Sequence, residues 1–356
     1  MNKLSVLIDL DRLKDLNNGL GQVALLFGKA LAGIKDKQLS FTFLVPKNYV
    51  GFFGNSVQYE VVSLKRRYFP ALCKKYDLWY TIHQDSCYFP SRRNTPYIIC
   101  INDLNFLGEK TKAKAQKRIN RLQRKVDRAA AITTISKYTE TVVRENLSIN
   151  NTPLQVIYTG VEVKTFEKVK RPAYVPEGSI LFSIGVVQAK KNYGVLLEFM
   201  LRLPDYCLII AGNKNNSPFA IELQQRINEL GLQHRVILPG MIADEDKYWL
   251  YKYCKAVLFP SKFEGFGFPP IEAMQFGKPV FASTFSSIPE VCEDKAYYWE
   301  NFDPDYMSTF FLDKMETFKN DKDRAETLRN YSKKYVWEEN VALNVQLFKK
   351  ILNCNT

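Results

Sequence analysis

The stretch "AVLFPSKFEGFGFPPIEAMQFGKPVFAS", Ala256 to Ser283, decides the fold. It opens on "AVLFPS" and closes on "KPVFAS", two short apolar runs with the composition of buried strands. Between them "PPIEAMQFG" reads as a helix opened by Pro269–Pro270, where a missing N–H costs nothing. Strand, loop, helix and strand in so short a span form a parallel βαβ unit. The loop is unusual. Glu264 and Glu272 stand eight positions apart, with Gly265, Phe266, Gly267, Phe268 and the proline pair among the residues between them. Taken singly, Glu264 reads as a solvated loop acid. Glu272, placed in the first helical turn, reads as a complement to the helix dipole. Neither reading accounts for Gly-Phe-Gly-Phe. Two carboxylates at this range can each accept hydrogen bonds from vicinal hydroxyls, with the glycines leaving backbone N–H groups open to a polar ligand.

The same alternation runs outward in both directions. Before this block come "SILFSIGV", "YCLIIAG" and "RVILPG" as strands, separated by "NYGVLLEFMLRL", "FAIELQQRINELGL" and "DEDKYWLYKYC" as helices. Toward the N-terminus, Leu4–Leu10, "LSFTFLVP", "DLWYTI", "PYIICIND", "AAAITTIS" and "PLQVIYTGV" are further strands, with "GQVALLFGKALAGI" a helix. Glu167 to Ser179 has two prolines, a glycine and mixed charge, a linker composition. The expected organisation is an N-terminal Rossmann-like domain (1–166), a linker (167–179), a second Rossmann-like domain (180–335) and a C-terminal helix (336–356) with Val341, Val345, Phe348 and Leu352 on one face. Two doubly wound α/β domains facing each other leave a cleft, and open sheets bind ligands at the carboxyl ends of their strands.

Composition narrows the partners. At 356 residues, 46% hydrophobic and 24% charged, the chain has the make-up of a globular protein of two domains. No run approaches 18 apolar residues, and the N-terminal apolar run is cut by Asp9, so a first strand is expected there, not a signal peptide, and the chain is expected in the cytoplasm. Seven scattered cysteines without a CxxC pair read as reduced core residues. Two histidines, His83 and His234, exclude a His-rich metal site. The net charge of +13 asks for an anionic partner. Lys110 to Arg128 holds nine Lys/Arg against one acid, Asp127, with Ile119, Leu122, Val126 and Ala129 at helical spacing. This helix reads either as a solvated face or as a face resting on anionic lipid. No nucleic-acid module is present, so no nucleic-acid partner is expected. The D-x-D spacings Asp9–Asp11 and Asp303–Asp305 are common by chance and are given no metal role.

Two more loops point to the expected cleft. "NNGLGQVA", Asn17 to Ala24, matches G-x-G-x-x-A through Gly19, Gly21 and Ala24. The glycines follow the strand by about eight residues, and the next strand ends in Pro46 where a dinucleotide site needs an acid, which argues against NAD. The loop reads as a close backbone approach to a ligand or as a flexible turn. In "SIGVVQAKKNYG", Ser183 to Gly194, a strand ends at Gly185, and Asn192 is the expected N-cap of the next helix. With Lys190 and Lys191 before it, this is either a surface lysine pair or a diphosphate site without a metal.

Together these segments resemble the retaining glycosyltransferases of GT-B fold, family 4. The E-x7-E block carries the resemblance, with "VLIDLDRL…NNGLGQVALLFGKAL", "AAAITTISKYTETVVRE", "VIYTGVE" and "SIGVVQAKKNYGVLLE" beside it. The resemblance implies a nucleotide-sugar donor, GDP-mannose by subfamily, and a glycan or lipid-linked oligosaccharide acceptor in cell-surface polysaccharide assembly. It implies no metal and no further cofactor. Glu272 would hold the ribose hydroxyls, and Glu264 with Gly265, Phe266 and Gly267 the donor sugar. Lys191 and Lys190 beside Gly185 would face the diphosphate. Gly19 and Gly21 would admit diphosphate and acceptor. Glu264, Lys191 and Asn102 are the implied catalytic residues, with His83, Asn102 and Asp103 toward the acceptor. The enzyme would be cytoplasmic, peripheral at the inner face of the plasma membrane, with the C-terminal helix crossing back to the first domain. Two departures stand out. Val186 replaces a common arginine, and Asn102, in "CINDLNFL", replaces a histidine near the donor sugar. An amide hydrogen-bonds but does not titrate near neutral pH. His83 is then a functional histidine or a core one. A sugar-nucleotide epimerase of the same architecture and a non-catalytic relative are the rival readings.

Overall fold

In a computed structural model the described residues are 3–16, 18–90, 95–214 and 217–354; Asn17 of the first glycine loop lies outside them. The chain divides into two units, Met1–Gly160 with Tyr335–Thr356, and Val161–Lys334.

The first unit is a seven-stranded sheet of β1 (Leu4–Asp9), β2 (Leu39–Val45), β3 (Gln58–Val61), β4 (Leu78–Thr81), β5 (Tyr97–Ile101), β6 (Ala131–Thr134) and β7 (Leu154–Val156). The order is β3-β2-β1-β4-β5-β6-β7 and every pairing is parallel. Helices cover both faces, so the central strands have no polar face to spare: "LWYT", "YIICI" and "AITT" are buried throughout. Crossovers are right-handed, so reversing the winding direction after β3 changes the face on which connections lie. α1 (Gly19–Ala32) and the C-terminal α13 (Trp337–Ile351) pack together on one side. α2 (Leu64–Tyr68), α3 (Phe106–Glu109), α4 (Lys112–Val126) and α5 (Lys137–Asn146) belong to connections on the other. Ala115, Leu122 and Val126 of α4 join Trp79, Ile99 and Ile132 in one buried cluster there.

The second unit repeats the winding with β8 (Ser179–Ile184), β9 (Tyr206–Ala211), β10 (Val236–Gly240), β11 (Ala256–Phe259), β12 (Val280–Ser283) and β13 (Tyr297–Trp299), in the order β10-β9-β8-β11-β12-β13. Its helices are α6 (Val195–Leu201), α7 (Pro218–Glu229), α8 (Asp244–Tyr253), α9 (Phe268–Gln275), α10 (Ile288–Cys292), α11 (Pro304–Asn320) and α12 (Arg324–Ser332). In both sheets the winding reverses between the first strand and the fourth, β1|β4 and β8|β11. That switch point is where neighbouring loops part to opposite faces and leave room for side chains.

Two details depart from the sequence reading, and a third gives a discounted spacing a structural role. The basic segment is not one helix: the backbone is extended at Lys110 and Thr111, and α4 starts at Lys112. Phe106 is already seated in the core, and the chain must turn there to bring Ala115 and Leu122 onto the same cluster. The cysteines are not all core: Cys100, Cys207, Cys254 and Cys292 are buried, whereas Cys87 is exposed and Cys73 and Cys354 are half-buried. The spacing Asp303–Asp305 is structural, Asp303 capping α11 and Asp305 pairing with Arg202 at 2.8 Å.

α13 is held by shape as well as area. Trp337 lies so close to Gly160 that a Cβ there would sit 2.5 Å from the indole. Phe348 is fully buried with its ring 5.1 Å from Tyr80, which in turn touches Phe27 of α1 at 5.8 Å. Phe348→Ala should lower the stability of the first unit by about 3–5 kcal/mol, the range for an aromatic removed from a closed core. Urea denaturation followed by circular dichroism measures it, and a loss under ~1 kcal/mol would mean α13 is dispensable.

Candidate functional site

In the second unit the side chains converge at the β8|β11 switch point. β8 ends at Ile184, and the φ of +153° and the neighbours of the following Gly185 both favour glycine: a Cβ would lie 2.9 Å from Lys191 Cε and 3.0 Å from Nζ. Gly212, at the end of β9, backs onto it so closely that a Cβ would meet the Gly185 carbonyl at 2.0 Å. Lys191 can therefore fold back past the strand end. Its Nζ reaches Glu264 Oε1 at 2.6 Å and lies 5.0 Å from the Phe259 ring centre. The two side chains are only 10% and 14% exposed, so each charge depends on the other for compensation.

The Glu264 loop is fixed by its own backbone. Glu264 N–H donates to Ser286 Oγ at 3.0 Å, and Ser287 Oγ donates to the carbonyls of Glu264 and Phe266 at 3.1 and 3.0 Å. Lys262 N–H donates to Lys190 O at 2.8 Å, tying this loop to the lysine loop. Ser183 Oγ donates to Leu258 O at 2.6 Å and joins the two strands below. Gly267, at φ +96°, turns the chain into α9.

Two expectations need correction. Asn192 does not cap the next helix. It adopts φ +56° and ends a 3-10 turn, Ala189–Lys191, while α6 begins only at Val195. The left-handed residue lets the chain swing Lys191 inward, so the lysines do not sit at a helix N-terminus. Glu272 is not in the first turn of α9, because that helix already starts at Phe268. It points from the second turn into the unit, 8% exposed, with both oxygens engaged. Lys247 Nζ donates to Oε1 at 2.7 Å and Tyr251 OH to Oε2 at 2.5 Å. Burial, and then the Glu272 charge, push the Tyr251 phenol well above its ordinary range, so it stays a donor. Lys247 and Tyr251 went unrecognised in the sequence. They are four apart on α8, hence on one helix face, but "DEDKYWLYKYC" reads as an ordinary amphipathic helix.

The first unit has a matching cluster at β1|β4. Asp9 is fully buried; its carboxylate accepts from Ser86 Oγ and from Asp11 N–H, the latter at 3.0 Å. Asp11 Oδ1 lies 2.8 Å from His83 Nε2. Asp85 N–H donates to His83 Nδ1 at 3.1 Å, so that nitrogen is the acceptor and Nε2 carries the proton toward Asp11. The Arg12 guanidinium lies against the ring, its Nε 3.1 Å from Nε2. Burial and then the Asp11 charge push the Asp9 carboxyl up to about 8. Burial also holds His83 below its ordinary value, with Asp11 opposing and Arg12 assisting. Asp9–Asp11, whose spacing alone carries no signal, thus belongs to a buried hydrogen-bonded cluster. Asn102 follows β5, buried, its amide donating to Ile82 O at 2.8 Å and its N–H to Gln84 Oε1 at 3.0 Å. Gln84 Nε2 donates in turn to Asp103 O at 2.8 Å. Gly21 is required by its own loop, since a Cβ would stand 1.9 Å from the Asp15 carbonyl; Gly19 faces open space.

The first-unit cluster sets a pH dependence with two opposed parts. Asp9 has a folded pKa above its unfolded one, so its contribution is full below about pH 4 and is lost as pH rises toward 8. His83 works in reverse: its contribution is present above its unfolded value, near 6.5, and is lost as pH falls through the lower folded one. Asp9→Asn removes the first part. The melting temperature of D9N relative to wild type should climb between pH 5 and 8 (about the span of the Asp9 titration); a constant difference would mean that Asp9 is ionised throughout. Proton NMR should show His83 titrating below the ordinary histidine range.

Residues 165–335 match the family described as "Glycosyl transferases group 1". The serotype-specific mannosyltransferase WbdA of Escherichia coli is 35% identical over 124 residues, 33% of this chain and 15% of that protein. The O-antigen chain mannosyltransferase B of Escherichia coli is 30% identical over 175 residues, 47% of this chain and 44% of that one. The chain thus spans less than half the length of these relatives. A solved glycosyltransferase from Rickettsia africae ESF-5 superposes with a TM-score of 0.74 at 15% identity, over 100% of both chains, and speaks for the fold alone. Both sheets follow the fold of the GT-B glycosyltransferase structures, and residues 165–335 match the glycosyl transferases group 1 family.

Proposed function

We propose that the chain is a retaining glycosyltransferase that moves a hexose from a nucleoside-diphosphate sugar to a growing glycan on a lipid carrier. One observation carries this reading: at the β8|β11 switch point, Glu264 and Glu272 are both held, nearly buried, by lysine ammonium groups. A buried carboxylate fixed by a cation keeps further lone pairs for a ligand's hydroxyls and does not reorganise when one arrives. Glu272, oriented by Lys247 and Tyr251, is assigned the ribose hydroxyls. Glu264 and the backbone of Gly265–Gly267 are assigned the donor sugar. Lys191 presents its remaining N–H groups, with Lys190, to the diphosphate. The mannosyl activity in the names of the relatives supports mannose as the sugar, and GDP-mannose is the donor proposed.

In this scheme the acceptor hydroxyl attacks the anomeric carbon from the face that the nucleotide leaves. Its proton passes to a departing phosphate oxygen, and the protein supplies position and charge stabilisation. Asn102 then serves as a positioning amide, which needs no titration. The lysine charges take the place of a divalent ion.

Release of nucleoside diphosphate from a panel of sugar nucleotides, with and without glycan acceptors, tests the reading. Glu272→Ala should raise KM first, because a nucleotide contact is alike in ground and transition states. Glu264→Gln should lower kcat by roughly tenfold or more, as expected for a contact to the reacting sugar. Small, equal changes in both variants at unchanged melting temperature would remove the donor-site assignment. Turnover should also survive EDTA; loss restored by Mg²⁺ or Mn²⁺ would transfer the neutralising role from the lysines to a metal.

A further inference from the structure

The connection from β3 to β4, "SLKRRYFPALCKKY", Ser63 to Tyr76, is built in an unusual way. One of its charged residues, Arg66, is inside, and four of its large apolar residues are outside. Arg66 is 2% exposed; its guanidinium lies 2.7 Å from Glu60, donates to Lys74 O at 3.1 Å, and rests 5.7 and 5.8 Å from the Tyr76 and Trp79 ring centres. Tyr76 OH donates to the other Glu60 oxygen at 2.9 Å. Ser63 Oγ accepts from Arg66 N–H and starts α2. Thus anchored, the segment holds Leu64, Tyr68, Phe69 and Leu72 in water, at 72%, 60%, 61% and 71% exposure. Lys65, Arg67, Lys74 and Lys75 are exposed around them, and no acid lies between Ser63 and Tyr76.

Four large apolar side chains displayed by one anchored turn are not the leftover apolar surface of a soluble domain. Their setting selects the partner. The β3–β4 and β5–β6 connections wind in the same direction, so right-handed crossovers put this segment on the same face of the sheet as α4. Tyr76 of this segment and Leu122 of α4 share one buried cluster with Tyr88 and Phe89 packed against it, and Phe89 lies under Lys125 of α4, 5.1 Å from its ring centre. On α4, Lys112, Lys114, Lys117, Arg121 and Arg124 are all exposed. One face of the first unit therefore carries an apolar tip inside a broad field of positive charge. A protein partner would need matching acids around an apolar pocket. A bilayer with anionic headgroups supplies both requirements continuously, charge at the surface and hydrocarbon just beneath it.

We propose that Leu64, Tyr68, Phe69 and Leu72 insert into the headgroup–acyl boundary of an anionic membrane, with Lys65, Arg67, Lys74, Lys75 and the α4 basic face on the lipid phosphates. The attachment is independent of the donor-site reading, because it is measured on the full chain without any sugar nucleotide.

The test uses phosphatidylcholine vesicles with and without phosphatidylglycerol, at low and high salt. Wild type should sediment with the phosphatidylglycerol vesicles at low salt and far less with phosphatidylcholine alone. Phe69→Trp should shift its emission to the blue on binding, a change legible above the four native tryptophans, which are all buried. Leu64→Ser, Phe69→Ser and Leu72→Ser together should weaken binding about tenfold or more at unchanged melting temperature, since the positions are already in water. Each Lys→Gln change in the ring should cost roughly fivefold. The proposal is overturned by an absence of binding at low salt. It is equally overturned by binding that the serine variant retains with the tryptophan unshifted, which would leave α4 acting alone, or by a dimer in solution that the serine changes abolish, which would make the tip a protein contact.

Discussion

Each unit depends on one buried ion pair or hydrogen-bonded dyad that closes its switch point. In the second unit it is Lys191–Glu264, at 2.6 Å; in the first it is His83–Asp11, at 2.8 Å. Parallel strands leave their carboxyl ends pointing the same way, and where the winding reverses the following loops separate. A gap of that kind, if merely apolar, would be filled by side chains and give nothing to a ligand. Here it is lined with charge, and buried charge survives only in pairs. The surrounding structure serves the pairing. Gly185 and Gly212 clear the path of Lys191, Ser286 and Ser287 fix the Glu264 backbone, and Asp85 N–H selects the His83 tautomer that donates to Asp11.

Much of this was legible in the sequence, because its signals are local. Apolar runs such as "YIICI" and "AVLF" announce strands buried on both faces, and the two-fold restart of strand–helix alternation announces two doubly wound units. The glutamate block stood out because Gly-Phe-Gly-Phe has no use in a solvated loop. What failed was of two kinds. Short-range geometry was misjudged where a helix start depends on a backbone conformation and not on a residue type. Asn192 is a favourable N-cap residue, yet it takes a left-handed conformation, and Glu272 lands one turn later than its distance from the prolines implied. Long-range partners were missed entirely: Lys247 and Tyr251 carry no motif, and their role exists only because α8 lies beside α9 in the folded unit.

The long-range misses share a cause. His83 and Asp11 are 72 residues apart, and Lys191 and Glu264 are 73 apart. In each case the chain leaves along the first strand, winds outward through two more, and returns to lay the fourth strand beside the first. The separation is thus set by the length of that excursion. No window suited to helical or strand periodicity spans it, which is why Asp9–Asp11 looked like a chance spacing. Knowledge of the strand order removes the difficulty. Once β1 is known to neighbour β4, and β8 to neighbour β11, the polar residues just past those four strands become the first candidates for a pair. The same reasoning separates the segment Ser63–Tyr76 from both sites. It lies within the excursion, on a sheet face and not at the switch point, and its one buried charge, Arg66, is paired with Glu60 of β3 and donates to Lys74 O. That charge holds a surface in place, whereas the paired charges at the switch points close the strand ends.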